Sequence, residues 1–470
     1  MAEKHIRLDS QFNIVGAFWA PDTAESVQPG TLTADGDGIT FTTAPQYSRG
    51  RSVKSLTSVM RISESGAVPR MPVLHGFTTE GLCTLCQLVE VANPGLMDYG
   101  LGQSIEANSY RALVCVTGMH LGGLEEKCLK SARYTFTGLS EWLPEAAASE
   151  SWEPDHVVLK IPLNEKNVFS FCLRDSHIHV SLKVFSELKT NEADGTRLSK
   201  PIAYIEVETP TPESLSWYLD IGNRLENLFS LLLGMSLALE TVFVYRGKES
   251  GHVIAKRNPH VGKFGLFDCV RCTPSQLANC VAIWLCQSEE FRSVENLALG
   301  VLRKGKLFWE TEFLSLAQAL EGFHRASTPA PPTDRATLRK IRKAYTTLLR
   351  QENVEPALAQ RLCATMSYAN DPPFSLRLTE LCNRLSEFLL LQMGIDRDKF
   401  VIDVVVTRNF YTHAGSKMNS RRNRSPVSGP AIFFLNQKMR ALLRGVLLLH
   451  LALPEEQIST LLTREAERWH

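Results

Sequence analysis

PIAYIEVETPTPESLSWYLDIGNRLENLFSLLLG (201–234) carries the change of period on which the fold turns. In its first part Ala203, Ile205 and Val207 alternate with Tyr204, Glu206 and Glu208, the signature of a half-buried strand. In its second part Leu215, Leu219, Leu225, Leu228 and Leu232 trace one broad stripe at helical spacing. Thr211 suits a cap and Pro212 the first helical position, so a helix is expected from Thr211. Upstream, alternation dominates. GTLTADGDGITFTT (30–43) reads as a hairpin around an Asp-Gly turn, and YTFTGL, VVLKIPL, FSFCL and HIHVSLKVF (177–185) follow between Gly, Asn, Asp and Pro punctuation. These runs predict a β-rich module of sandwich or barrel type. Downstream, a strand at TVFVYR (241–246) and a helical stretch opened by Thr273 and Pro274 lead to a domain boundary near residue 306. Beyond it every periodic segment is helical. WETEFLSLAQALEGFHR (309–325), a helix capped by Asp334, a helix marked by Leu358, Leu362 and Met366, one long helix over 376–394, FVIDVVVTRNFYTHAG (400–415), IFFLNQKMRALLRGVLLLH (432–450) and a last helix opened by Pro454 predict a bundle of five to seven helices. The expected fold is therefore α+β multidomain, a β-rich module over 1–306 followed by an all-α bundle over 307–470.

The 470 residues hold 51 Lys and Arg against 50 Asp and Glu, a net charge of +1 that excludes a polybasic architectural protein or an acidic tail. Eleven scattered cysteines and a start, MAEKHIRLDS, without an apolar core point to a reducing cytoplasm. Leu228–Tyr245 is long enough to span a bilayer but contains Glu240 and Gly234, and reads as helix, turn and strand.

Signatures of several enzyme classes are absent: a Walker phosphate loop, G-x-S-x-G, H-E-x-x-H, and G-x-G-x-x-G after a strand. Cys83 with Cys86 and Cys269 with Cys272 form two CxxC pairs, which as four thiolates would make a zinc site and otherwise are half-buried small apolar residues, the favoured reading. His177 and His179 are placed on one polar strand face, opposite Ile178, Val180 and Leu182. No metal or cofactor is expected.

From Val404 through Pro454 there is no Asp or Glu, while Arg408, Lys417, Arg421, Arg422, Arg424, Lys438, Arg440 and Arg444 all fall inside. Eight uncompensated cations imply a local positive potential suited to phosphate. Arg408-Asn409-Phe410-Tyr411-Thr412-His413 lies in this window and resembles the R-x4-6-H motif of HEPN-domain ribonucleases. The pattern also fits Arg70 with His75, Arg174 with His179, Arg246 with His252, Arg464 with His470 and, as the serious rival, Arg444 with His450. The polar Asn409 directly after the arginine separates the first from the rest. The tail from FLSLAQALEGFHR to FLNQKMRALLRGVLL is similar to the HEPN-like domain of ApeA-type antiphage proteins, and FNIVGAFWAP (12–21) with VLHGFTTEGLCTL (73–85) resembles the ApeA N-terminal domain.

At about 100° per residue Asn409 and His413 share a helix face, and Arg408 sits about 140° away with a side chain long enough to reach the same phosphate. One imidazole and one guanidinium are too few for in-line cleavage, which needs a base for the 2'-hydroxyl, an acid for the departing oxygen and positive charge on the phosphorane. The resemblance implies a homodimer or larger even assembly that pairs two such sets without metal, a substrate of unpaired RNA with tRNA loops as candidates, a 2',3'-cyclic phosphate product, and a front module that senses a phage-derived trigger. Catalytic roles are assigned to Arg408, Asn409 and His413 alone. Tyr411 stacks on a base or packs between helices, Glu321 and Arg325 support the motif or form an ordinary ion pair, and the basic run Arg339, Lys340, Arg342 and Lys343 guides RNA or faces solvent. The competing functions are a silent RNA-binding scaffold with the same basic cleft, and a β-domain ligand binder whose bundle only dimerises.

Overall fold

In the computed structural model, residues 12–468 are described apart from 24–26, 36–37, 44–45, 50–69, 93–96, 99–102, 107, 145–148, 154–155, 162, 174–175, 191–196, 256–268, 304–306, 329–333, 367–370 and 413–424. The chain divides into two compact units, one of Met1–Phe229, Met235–Phe264 and Cys272–Leu285, the other of Ser230–Gly234, Gly265–Arg271 and Cys286–His470.

The first unit contains β1 (Phe12–Trp19), β2 (Gln28–Asp35), β3 (Gly38–Thr43), β4 (Gln46–Arg49), β5 (Arg70–Thr78), β6 (Gly81–Ala92), β7 (Met97–Asp98), β8 (Gln103–Glu106) and β9 (Ser109–Thr117). After these come β10 (Leu129–Phe136), α1 (Leu139–Trp142), β11 (Ser149–Glu153), β12 (His156–Lys160), β13 (Lys166–Cys172), β14 (His179–Thr190) and β15 (Arg197–Glu213). The helix α2 (Leu215–Leu233) precedes β16 (Leu239–Arg246), β17 (Glu249–Ala255) and α3 (Pro274–Leu285). Strands β9-β3-β2-β1-β5-β6 close on themselves because β6 pairs back to β9, so the alternating front half forms a six-stranded barrel. Its inward residues, Phe18, Leu32, Phe41, Leu74, Leu85 and Tyr110 among them, are fully buried. Phe18 and Phe41 pack with ring centroids 4.5 Å apart. Gly76 permits that packing, since a Cβ there would lie 2.7 Å from the Phe18 ring and from Cys83 Sγ.

β9 has a divided edge. One side pairs along its length with β6; the other serves β3 through Ser109–Ala112 and β17 through Val114–Thr117. From β17 a wing continues as β16, β10, β15, β14 and β13. One face of the wing carries Ala132, Tyr134, Phe136, Ile205 and Val244, all buried, and the helix segment up to Phe229 covers it. The Tyr134 hydroxyl donates to the Tyr218 carbonyl at 2.8 Å, and Phe136 meets Phe229 at 5.3 Å.

Two expectations shift here. β15 holds Thr211 and Pro212 in its last, bulged pairing with β10, where Leu129 faces Glu213, so α2 begins only at Leu215 and Ser214 accepts from Trp217 N in place of a Thr211 cap. His177 is in a turn with φ 52°, not on a strand face with His179, because Leu173 N and His177 N close that turn onto the Ile178 and Leu173 carbonyls. The helix opened by Thr273 stands as expected, with a reciprocal cap between Thr273 and Gln276.

The second unit holds α4 (Glu289–Arg303), α5 (Trp309–Ser327), α6 (Arg335–Gln351), α7 (Pro356–Met366), α8 (Phe374–Cys382), α9 (Glu387–Gln392), α10 (Arg397–Thr412), α11 (Pro430–His450) and α12 (Glu455–Ala466). By sequence α4 falls with the front half; it packs instead on α5, with Phe291 against Phe323 at 5.9 Å. The stripe Phe313, Leu316, Leu320 and Phe323 makes α5 the buried axis, packed against α4, α8, α10 and α11. The expected single helix over 376–394 is two, because the Ser386 hydroxyl accepts from Leu389 N and starts α9 afresh. Eight helices after residue 307 among the described residues therefore replace the five to seven expected. Among the described residues no helix is long and apolar enough to cross a membrane.

Candidate active site

Arg408 sits in the last turn and a half of α10, a helix buried along Phe400, Val401, Val404 and Thr407. Its guanidinium is held from two sides. Nη2 lies 3.4 Å from Glu321 Oε2 on α5, and the charge rests 5.5 Å from the centroid of Phe374 at the start of α8. Glu321 also receives Arg325 Nη2 at 2.9 Å, so one carboxylate serves two guanidiniums. The Arg408 side chain remains 34% exposed, which leaves donors for an incoming anion. Asn409, next in sequence, is exposed. The chain leaves α10 at Thr412, whose hydroxyl donates back to the Arg408 carbonyl at 2.8 Å. It is hydrogen-bonded to α10 again where Val427 N donates to the buried Thr407 hydroxyl at 3.0 Å. His413, the third expected catalytic residue, lies outside the described residues, as do Lys417, Arg421, Arg422 and Arg424.

Behind this cluster is a polar network that sequence reasoning missed. Arg325 and Arg377 each stand 3.9 Å from Asp371, and Arg377 Nη1 donates to His324 Nδ1 at 3.3 Å. His324 Nε2 in turn donates to Glu380 Oε2 at 2.5 Å. Burial lowers the His324 pKa against the opposing pull of Glu380, and the neutral tautomer with Nδ1 accepting fits both bonds. The available signal was His324 beside Phe323 and four residues after Leu320, a polar group on the buried stripe of α5. The network ties α5 to α8, the two helices that supply Glu321 and Phe374.

Two more of the window's described arginines have carboxylate partners in space. Arg440 pairs with Glu312 on α5 and also donates to the Val301 carbonyl at 3.0 Å; Arg444 pairs with Glu465 on α12 and donates to the Leu231 carbonyl at 3.1 Å. Neighbouring helices supply carboxylates to these two arginines, and Lys438 is half-buried near Asp396 and Asp403. The rival pair thereby loses its surface: Arg444 is 5% exposed, and His450 stacks on Phe291 at 4.8 Å with its pKa lowered by burial and by Arg384. Tyr411 packs toward Phe313 at 6.3 Å, the packing role rather than the stacking one. Cys83 and Cys86, three apart on β6, fall on opposite strand faces, with only Cys83 in the barrel core. Burial pushes both thiols up to about 12. Among the described residues no group of three or more His, Cys, Asp or Glu is placed to hold a metal ion.

The family model described as ApeA N-terminal domain 1 matches residues 13–267, more than half of the chain. The chain belongs to the ApeA family. The model described as Apea-like HEPN matches residues 314–457, which contain α6 to α11 and the Arg408 cluster, so this ApeA chain has the two-part architecture of its family. No curated protein and no solved structure matches it. HEPN domains generally have ribonuclease activity and usually function as dimers, and the pairing with an ApeA domain points to an antiphage effector of ribonuclease type.

Proposed function

We propose that the helical domain, taken from residue 307, is a metal-independent endoribonuclease that cuts unpaired RNA, tRNA loops being candidates, with Arg408, Asn409 and His413 as its catalytic residues. One observation carries the reading: Arg408 is gripped by Glu321 and Phe374 yet keeps an exposed face, immediately before an exposed Asn409 and in the same sequence motif as His413. In a two-fold dimer one imidazole removes the 2'-hydroxyl proton as that oxygen attacks phosphorus. The bond from phosphorus to the 5'-oxygen breaks, and the partner's imidazolium returns a proton to that oxygen, leaving a 2',3'-cyclic phosphate and a 5'-hydroxyl. The two guanidiniums meet the charge that grows on the phosphorane, and the Asn409 amide orients the imidazole. The front module, residues 1–306, restrains this activity until a phage-derived trigger binds it in the cytoplasm.

The test is cleavage of total RNA in EDTA by the wild type and by Arg408→Ala and His413→Ala. Cyclic-phosphate ends made by the wild type alone are expected. Cleavage that disappears on chelation, or persists in His413→Ala, overturns the mechanism.

A further inference from the structure

A second acid-free run, on α6, is described in full length along its backbone. Between Arg335 and Gln351 there is again no Asp or Glu, and the flanking acids Asp334 and Glu352 are its two caps. Arg339, Lys340, Arg342, Lys343 and Arg350 are all exposed, and none makes an ion pair among the described residues. With about 100° of turn per residue, Arg339, Arg342, Lys343 and Arg350 fall within an arc of about 100° that runs the length of the helix. The apolar side chains Leu338, Ile341, Tyr345 and Leu348 occupy the adjoining arc, with the buried Leu349 at the border between the two.

This arrangement costs the helix stability. A solvated face normally alternates charge, placing Glu before Lys at i, i+4; here Arg339 is followed by Arg342 and Lys343 at spacings of three and four, so like charges are neighbours. Packing does not explain the placement: Leu349 is the one residue of α6 buried among those described, and α7, which lies against it, buries none. A face of one sign, repelling itself and clear of the core, is matched by a polyanion of regularly spaced charges.

Resting on the ribonuclease reading above, we infer that the basic stripe Arg339, Arg342, Lys343 and Arg350 on α6 is a binding surface for the phosphate backbone of single-stranded RNA, separate from the catalytic cluster on α10. It holds the strand without reading its bases, since its charged groups are all cations, the Thr346 between them is turned to Cys363 of α7, and none is an aromatic stacking platform. Charge complementarity selects the occupant. A second copy of the chain would bring the same cations, and an exposed apolar arc at Ile341 and Leu348 lies on the other side of the helix.

The experiment uses the full chain with a fluorescein-labelled oligouridine, its anisotropy read from 50 to 300 mM KCl in EDTA. Binding is followed in an Arg408→Ala background so that the probe stays intact. The triple variant Arg339→Gln, Arg342→Gln, Lys343→Gln is expected to weaken binding at least tenfold at 100 mM salt. The slope of log affinity against log salt should flatten by about 0.7 for each phosphate that the variant no longer neutralises. On the Arg408-intact chain the same triple variant is expected to raise KM and leave kcat unchanged. Glutamine is a good helix former, so the helix should survive, and the single Arg342→Gln variant reads a smaller change in the same slope. Unchanged affinity and slope overturn the inference, as does an intact RNA affinity with a changed mass by light scattering, or a preference for phosphatidylserine vesicles over RNA. Failure of the ribonuclease reading looks different: the wild type would bind through α6 with full salt dependence and release the RNA uncut.

Discussion

Replacing Glu321 by glutamine separates holding from catalysis at the Arg408 cluster. At 3.4 Å an ion pair in surroundings of effective dielectric near 20 is worth about 5 kcal/mol before screening. Both groups remain open to water, with 34% and 21% of their side chains exposed, and Glu321 shares its charge with Arg325 at 2.9 Å. The net coupling therefore falls toward the exposed-pair range, about 1 kcal/mol. If that energy serves only to point the Arg408 guanidinium, Glu321→Gln should slow single-turnover cleavage of a fluorogenic RNA about fivefold and leave the pH profile in place. Arg408→Ala removes the charge itself and should cost about a hundredfold or more. Because Glu321 acts through Arg408 as a positioning residue, the double variant should be no slower than Arg408→Ala alone. Independent losses that multiply in the double variant would refute the reasoning, and so would a Glu321→Gln loss as large as that of Arg408→Ala.

Buried imidazoles make the second unit sensitive to acid. His324 and His450 have lowered pKa values, both chiefly through burial, so below the ordinary 6.5 the unfolded chain binds protons that the folded one refuses. Stability is therefore full above pH 6.5 and declines as pH falls from there toward the folded values; thermal melts from pH 8 to 5.5 should show it, with a shallower decline in His450→Phe, and parallel curves would refute the assignment. Cys83 and Cys86, at about 12, should resist iodoacetamide at pH 8 in the folded protein and react once denaturant is added. Rapid native labelling, read by mass spectrometry, would show that the barrel opens.

Local patterns were legible where one force decides. The hairpin of β2 and β3 follows from alternation and its turn, and α5 from an apolar stripe running from Phe313 to Phe323. Boundaries failed where two local signals competed: Thr211-Pro212 is a sound helix start, but a sheet partner held those residues as strand, and Ser386 interrupts an otherwise continuous helical period. Charge is harder to read along a chain. An acid-free stretch says nothing about carboxylates that other helices bring, and Glu312, Glu321 and Glu465 each pair with an arginine that looks free in the sequence. At the candidate site the motif singles out Arg408 and Asn409 for the proposed role, whereas Phe374 and the path from Asp371 through Arg377 and His324 to Glu380 join residues up to 56 positions apart and leave only a misplaced histidine as a trace.

The strand Ser109–Thr117 is a shared spine for barrel and wing. Adding or removing one residue in most strands would flip side chains in a single layer, and a nearby bulge absorbs the error. In this strand the same slip turns Tyr110, Ala112 and Cys115 out of the barrel while it misaligns Val114, Val116 and Thr117 against β17. Insertions, tags and new chain termini therefore belong at peripheral turns such as the one at Gly247, and the nine residues of this strand are where the front module has no slack.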